Sequence, residues 1–270
     1  IQVLLYHFFD RFTINLMAQV IGIINIKGGS GKTTTAINLS VYLTAFGKRV
    51  LLVDLDPQAN ATTGLGMKFD KDHYNIYHAL VADAEPGALV KRTSIFGLDI
   101  LPSSEKLAGA NVELVSFKNR ELQLKKVLNR VKNGYDFVLI DCQPSVGLLT
   151  VNALSASDSI LIPVQAEYFA LAGMDQLLTV VDLVKKYLNP DLKILGAVVT
   201  MFDKRNQLDR DILNQVHKNF PGHVFDAVIP RQVSFAEAPA VGKSILQHDS
   251  YSKGARAYRE LALEVMNRVK

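Results

Sequence analysis

The sequence predicts an α/β protein: a single-domain, doubly wound, mostly parallel sheet with helices on both faces. Two observations lead to this expectation. Short apolar runs recur at 20–25, 49–54, 137–141, 159–164 and 193–201, the pattern of strands buried on both faces rather than half-exposed. Helical apolar spacing fills 119–132, 172–188 and 206–220, and strands that alternate with helices build parallel sheets.

With 270 residues, 49% of them hydrophobic, the chain can form one large core and is short for two. It has no internal repeat, low-complexity tract or Pro/Gly-rich linker, so residues 17–270 are expected to form one domain. Residues 1–16 are apolar but broken by Asp10 and Arg11. They lack the basic start and small-residue cleavage site of a signal peptide. A natural start at Met17 is expected, with 1–16 an extension of unassigned role. The single cysteine, Cys142, excludes an internal disulfide framework and any cluster that needs several thiolates from one chain. No apolar run reaches the ~18–20 residues that span a bilayer, so a soluble, cytoplasmic protein is expected. The net charge of +4 and pI near 9.0 suit a polyanion-binding surface without requiring one.

The first strand, at 20–25, hands over to a glycine-rich turn and then to a helix over 31–46 that stops at Gly47. The turn reads Lys27-Gly28-Gly29-Ser30-Gly31-Lys32-Thr33-Thr34, a phosphate-binding motif in the strand–loop–helix context such a motif requires. Its glycines let the backbone wrap an anion with N–H groups pointing inward, and the helix N-terminus adds positive potential. Lys32 is placed to reach β- and γ-phosphates, and the Thr33 hydroxyl holds the position that binds Mg²⁺ in such loops.

Phosphoryl transfer also needs an acidic residue at a strand end for the metal and a group to orient the attacking water. Asp141, ending the run at 137–141, fits the metal role. Asp54 and Asp56 follow the run at 49–54. Both suit this chemistry, and both equally suit a turn before Pro57. Cys142 reads as a small buried filler.

Two features identify a resemblance. Ile26 stands where the general motif has its first glycine, and a second lysine, Lys27, follows it. This two-lysine loop resembles the deviant Walker A motif of the ParA/MinD superfamily. Further stretches, 33–39, Asp56-Pro57-Gln58-Ala59-Asn60-Ala61-Thr62, Pro163-Val164-Gln165-Ala166-Glu167-Tyr168 and Ala236-Glu237-Ala238-Pro239, resemble its ParA/Soj chromosome- or plasmid-partitioning branch, and the likeness extends over 17–270. It implies an ATP hydrolase, slow alone, that uses ATP and Mg²⁺ and forms a homodimer when ATP-bound. Lys27 would be the signature lysine that reaches the partner protomer's nucleotide. Asp141 would be the Walker B aspartate, and Asp56 the catalytic aspartate that positions water and contacts the metal shell. Pro230, Gln232 and Met201 would lie beside the adenine.

The same resemblance implies non-specific binding of double-stranded DNA, stimulation by a ParB/Spo0J-like protein, and a nucleoid-associated location. Arg205 matches one DNA-binding position. Lys204, Arg231, Lys243, Lys253 and Arg256 are further candidates, each equally readable as a solvated surface charge. The chain departs from the family pattern at Gln143, where proline is usual after Asp-Cys, at Gln232, usually asparagine, and at Ser234, usually arginine.

The rival reading is a MinD-like membrane-associated ATPase, which needs an exposed apolar C-terminal anchor. Here Tyr258, Leu261, Ala262, Val265, Met266 and Val269 form one helical stripe, a spacing that more often docks a helix onto its own core. The single cysteine argues against a nitrogenase-reductase-like carrier. With only Tyr251 and Tyr258 near the C-terminus, the chain also lacks the tyrosine cluster of a deviant-Walker tyrosine kinase.

Overall fold

The computed structural model describes residues 18–70, 73–167 and 172–269; the extension at 1–16, Met17 and Tyr168 lie outside them. Strand β1 (Gln19–Ile23) leads through residues 24–31 into α1 (Lys32–Ala45), and β2 (Val50–Leu55) follows. Short helices α2 (Asn60–Gly64), α3 (Ile76–Val81) and α4 (Pro86–Leu89) precede two small strands, β3 (Lys91–Arg92) and β4 (Leu98–Leu101), and α5 (Leu107–Glu113) comes after them. Then α6 (Gln123–Asn129), β5 (Phe137–Cys142), α7 (Leu148–Ala156), β6 (Ser159–Gln165), α8 (Ala172–Tyr187), β7 (Lys193–Thr200) and α9 (Gln207–Asn219) alternate. Helices α10 (Ser234–Ala240), α11 (Ile245–His248) and α12 (Lys253–Arg268) complete the described chain.

The strands form one sheet in the order β3-β4-β2-β5-β1-β6-β7, parallel throughout except for the β3–β4 edge. Every residue of β2 and β5 is buried. Successive side chains still divide between two faces. Leu51, Val53 and Leu55 join one core layer with residues of α3, α5, α6 and α7, whereas Val50 and Leu52 join a second with residues of α1 and α12. This is the doubly wound arrangement expected, and it collects the loops after β1, β2 and β5 at one end of the sheet, where ligands bind in this architecture.

The five expected strands are present within a residue or two, as are the helices expected at 31–46, 172–188 and 206–220. The helix expected at 119–132 is reduced to α6 between two 3₁₀ turns. Asn119 adopts a left-handed conformation (φ 56°), which ends regular helix on that side. The β3–β4 edge was not foreseen, because runs of two and four residues carry too little periodicity to read. On α12, Tyr258, Leu261, Ala262 and Val265 are buried, with Met266 and Val269 packed against the same layer. The C-terminal stripe therefore docks on the chain's own core.

Candidate active site

The phosphate loop is held open from beneath. Asn25 donates from Nδ2 to the Pro163 carbonyl (2.7 Å) and accepts the Lys27 N–H at Oδ1 (2.9 Å). Thr200, at the end of β7, donates to the Ser30 carbonyl (2.9 Å). Gly29 (φ 72°) and Gly31 (φ 86°) occupy left-handed backbone that a side chain would strain. A Cβ added at Gly28 or Gly29 would meet no atom within 4 Å, so the loop rims an open cradle. Helix α1 begins with no side-chain cap on its first N–H groups and no acidic residue in its first turn. It carries Lys32 there instead, the opposite of what the helix dipole favours. Free N–H groups and a cation at one helix N-terminus form a site that an anion completes.

Lys32 is 6% exposed and donates from Nζ to the Lys27 carbonyl (3.0 Å). Burial lowers its pKa, against the pull of Asp141, Cys142 and Asp56. Strand pairing brings the acidic residues to it, for Asp54 lies opposite Asp141 across β2–β5, and Ile23 opposite Asp141 across β1–β5. Asp141 is fully buried, and among the described residues neither carboxylate oxygen has a partner in good hydrogen-bond geometry, although the Thr33 hydroxyl lies near enough to pull its pKa down. Its pKa is pushed well up, first by burial and then by the charge of Asp54. A buried carboxylate with so little hydrogen-bonding is costly unless a cation meets it, and Thr33 in the first turn of α1 is the polar side chain beside it. Among the described residues no group of three or more His, Cys, Asp and Glu side chains forms a metal site. A cation at Asp141 and Thr33 would thus draw its remaining ligands from phosphate and water, as Mg²⁺ commonly does.

Asp54 and Asp56 separate in role. Asp54 accepts the Thr62 N–H (2.8 Å), the Thr62 hydroxyl (2.7 Å) and the Asp56 N–H (3.2 Å), and burial raises its pKa to about 6. It organises the turn into α2. Asp56 is 6% exposed, and among the described residues its side chain accepts only the Gln58 N–H (2.9 Å at Oδ1), with no partner for Oδ2. Cys142 is buried, its thiol pushed well up by burial and then by Asp141, as a filler residue would be.

Beside the loop lies a cavity of about 280 Å³ walled by Met201, Pro230 and Gln232, with Gly31 and Thr34 on its phosphate side. The three residues expected near adenine thus share one pocket that opens onto the phosphate loop. Met201 holds a left-handed backbone (φ 55°), a strain that collects at functional positions. Gln232 accepts the Gly254 N–H at Oε1 (2.9 Å) and donates from Nε2 to Ser234 Oγ (3.1 Å), so its amide supports the wall. Phe235 and Tyr258 complete the pocket, with rings edge to face at 5.5 Å. Sequence reasoning did not place Phe235 here, because no periodicity marks a residue that reaches a pocket through a turn.

Lys204, Arg205, Arg231, Lys243, Lys253 and Arg256 are all exposed. Hydrogen bonds from two backbone N–H groups join the segments that carry five of them: Arg231 N–H donates to the Phe202 carbonyl (3.0 Å), and Gly254 N–H to the Gln232 side-chain oxygen Oε1 (2.9 Å). Lys243 sits apart, on the turn between α10 and α11. Arg205 is already engaged, donating to both Asp203 carboxylate oxygens (Nε–Oδ1 3.0 Å, Nη2–Oδ2 2.7 Å). Lys27 is engaged too, with Nζ 2.8 Å from Glu167 Oε2.

Fold and loop together define a P-loop nucleotide-binding protein of the two-lysine type. A family model described as an AAA domain matches residues 18–194. The sporulation initiation inhibitor protein Soj of Bacillus subtilis (strain 168) is 50% identical over 249 residues, which span 92% of this chain and 98% of that one. The chromosome partitioning protein ParA of Myxococcus xanthus (strain DK1622) is 46% identical over 252 residues, 93% of this chain and 89% of that one. Among solved structures, the cobyrinic acid a,c-diamide synthase of Mycobacterium smegmatis, with bound ADP and magnesium, matches with a TM-score of 0.83 at 38% identity, over 94% of this chain and 96% of that one. The chain belongs to the ParA/Soj family of chromosome-partitioning ATPases within the ParA/MinD superfamily.

Proposed function

We propose that this chain is a Mg²⁺-dependent ATPase that closes into a homodimer around ATP, binds double-stranded DNA without sequence preference in that state, and is driven through its cycle by a ParB-like partner. The observation that carries this reading is the separation of the two loop lysines. Lys32 is buried at the foot of α1, whereas the Lys27 side chain stands at the mouth of the loop, 34% exposed, where a second protomer's nucleotide can meet it. A cation supplied from the partner makes ATP part of the interface, so binding drives association and hydrolysis releases it.

In this proposal the loop N–H groups and Lys32 bind the phosphates, Ser30 and Thr34 line the cradle, and Met201, Pro230 and Gln232 flank the adenine. Thr33 and Asp141 would hold Mg²⁺, which when bound neutralises phosphate charge. Asp56 would contact the shell of that metal and accept a hydrogen bond from the attacking water, orienting it toward the γ-phosphate. Residues 17–270 act as one domain, preceded by an extension, 1–16, of unassigned role. Lys204, Arg205, Arg231, Lys243, Lys253 and Arg256 contact DNA phosphates, which confer affinity without sequence information. A cytoplasmic, nucleoid-associated location follows from that surface. No described helix is long and apolar enough to cross a membrane, and the buried stripe of α12 leaves no apolar face there for the MinD-like alternative.

The test is binding to a random-sequence duplex with no nucleotide, ADP or ATP, at two salt concentrations, for the wild type and Asp56→Ala. Binding that requires ATP, ignores sequence, falls with salt and persists in Asp56→Ala is expected. Absence of DNA binding under every nucleotide, together with ATP-dependent binding to liposomes, would overturn it in favour of the membrane-associated alternative.

A further inference from the structure

Lys27 and Glu167 are 140 residues apart in sequence, and parallel pairing of β1 with β6 brings the loops that follow these strands together. The Lys27 ammonium donates to Glu167 Oε2 at 2.8 Å, and Gln165 Nε2 donates to the other oxygen, Oε1, steadying the carboxylate on the Lys27 side of its loop. No other partner of Lys27 Nζ is recorded among the described residues. The lysine that the proposed function sends across a dimer interface is therefore held within its own chain by a carboxylate.

We propose that Glu167 is a positioning residue that latches Lys27 in the monomer, so that closure of the dimer must exchange a carboxylate within the chain for phosphate oxygens of the partner's nucleotide. The inference rests on the cross-subunit role of Lys27. The two side chains are 34% and 47% exposed, and an exposed ion pair is worth little, so the latch is a weak competitor. That weakness suits an exchange. A triphosphate, with its higher negative charge, displaces one carboxylate more readily than a diphosphate does, and the latch sharpens the distinction between ATP and ADP as drivers of association. Each dimer breaks two latches, so their effects multiply in the dimer dissociation constant.

The experiment is sedimentation equilibrium of wild type, Glu167→Gln, Lys27→Ala and the double variant, each with AMPPNP or ADP at low and high salt. A fluorescent-nucleotide titration of the monomers runs alongside. Glu167→Gln is expected to lower the AMPPNP dimer dissociation constant roughly four-fold at low salt, from about two-fold per latch. The gain should shrink at high salt as screening weakens the pair, vanish in the Lys27→Ala background, and leave monomer nucleotide affinity unchanged. Dimerisation equal to or weaker than wild type in Glu167→Gln, or the same gain without Lys27, overturns the latch. If Lys27→Ala dimerises like the wild type, the cross-subunit role itself fails and the latch falls with it. If Lys27→Ala stays monomeric while Glu167→Gln is neutral, the latch alone fails.

Discussion

At the start of α12, Gly254 makes room for the aromatic wall of the cavity proposed to take adenine. A Cβ there would lie 2.4 Å from Phe235 Cζ and 2.9 Å from Gln232 Oε1, contacts that force one of the three to move. Gly254→Ala is expected to cost about 1–3 kcal/mol of stability, as overpacked sites do, and to weaken adenine-nucleotide affinity several-fold by driving Phe235 into the cavity. A thermal melt and a fluorescent-nucleotide titration check both, and unchanged affinity would remove Phe235 from the binding wall. Asp54 and Asp56 illustrate what residue identity leaves open. Two aspartates in one turn are equivalent as letters, yet Thr62 engages Asp54 with both its N–H and its hydroxyl. The Asp56 side chain has one backbone partner.

Helix α12 is joined to α1 by more than apolar packing. Tyr258 and Thr35, both buried, share a hydrogen bond of 3.1 Å between hydroxyls, and α1 is the helix whose first turn carries Lys32, Thr33 and Thr34. Tyr258→Phe keeps the ring and leaves the Thr35 hydroxyl buried without that partner, a loss of about 1–2 kcal/mol. Urea unfolding should show a lower midpoint with an unchanged slope. No shift in the midpoint would mean that α12 docks through its apolar stripe alone. The spacing of that stripe was legible in sequence. Its contact with α1, and so its support of the phosphate loop, was not, because helical periodicity identifies a buried face without naming what buries it.

Across the whole molecule, the proposed polyanion surface depends on charges that the fold partly cancels. Arg205 stands 85% exposed by side chain but is bridged to Asp203, and this pairing holds the Asp203 carboxyl below its usual range. Asp203→Asn would free the guanidinium and add one unit of positive charge per protomer. ATP-dependent DNA binding should tighten about three- to ten-fold at low salt, and the dependence of log affinity on log salt should steepen by roughly one per protomer that touches DNA. Unchanged affinity and slope would place Arg205 off the DNA face. The amino-acid sequence by itself determined the α/β class, the phosphate loop, the candidate aspartates and the family, because each is carried by local order: apolar runs, glycines where the backbone must turn left-handed, and a second lysine five residues before the first helical one. Only the tertiary structure decided that Asp54 and Asp141 face each other across β2 and β5, that Phe235 and Tyr258 wall the cavity beside the phosphate loop, and that Glu167 holds Lys27. The physical reason is that strand order and register set these approaches between segments far apart in sequence, and no local propensity encodes which strand lies beside which.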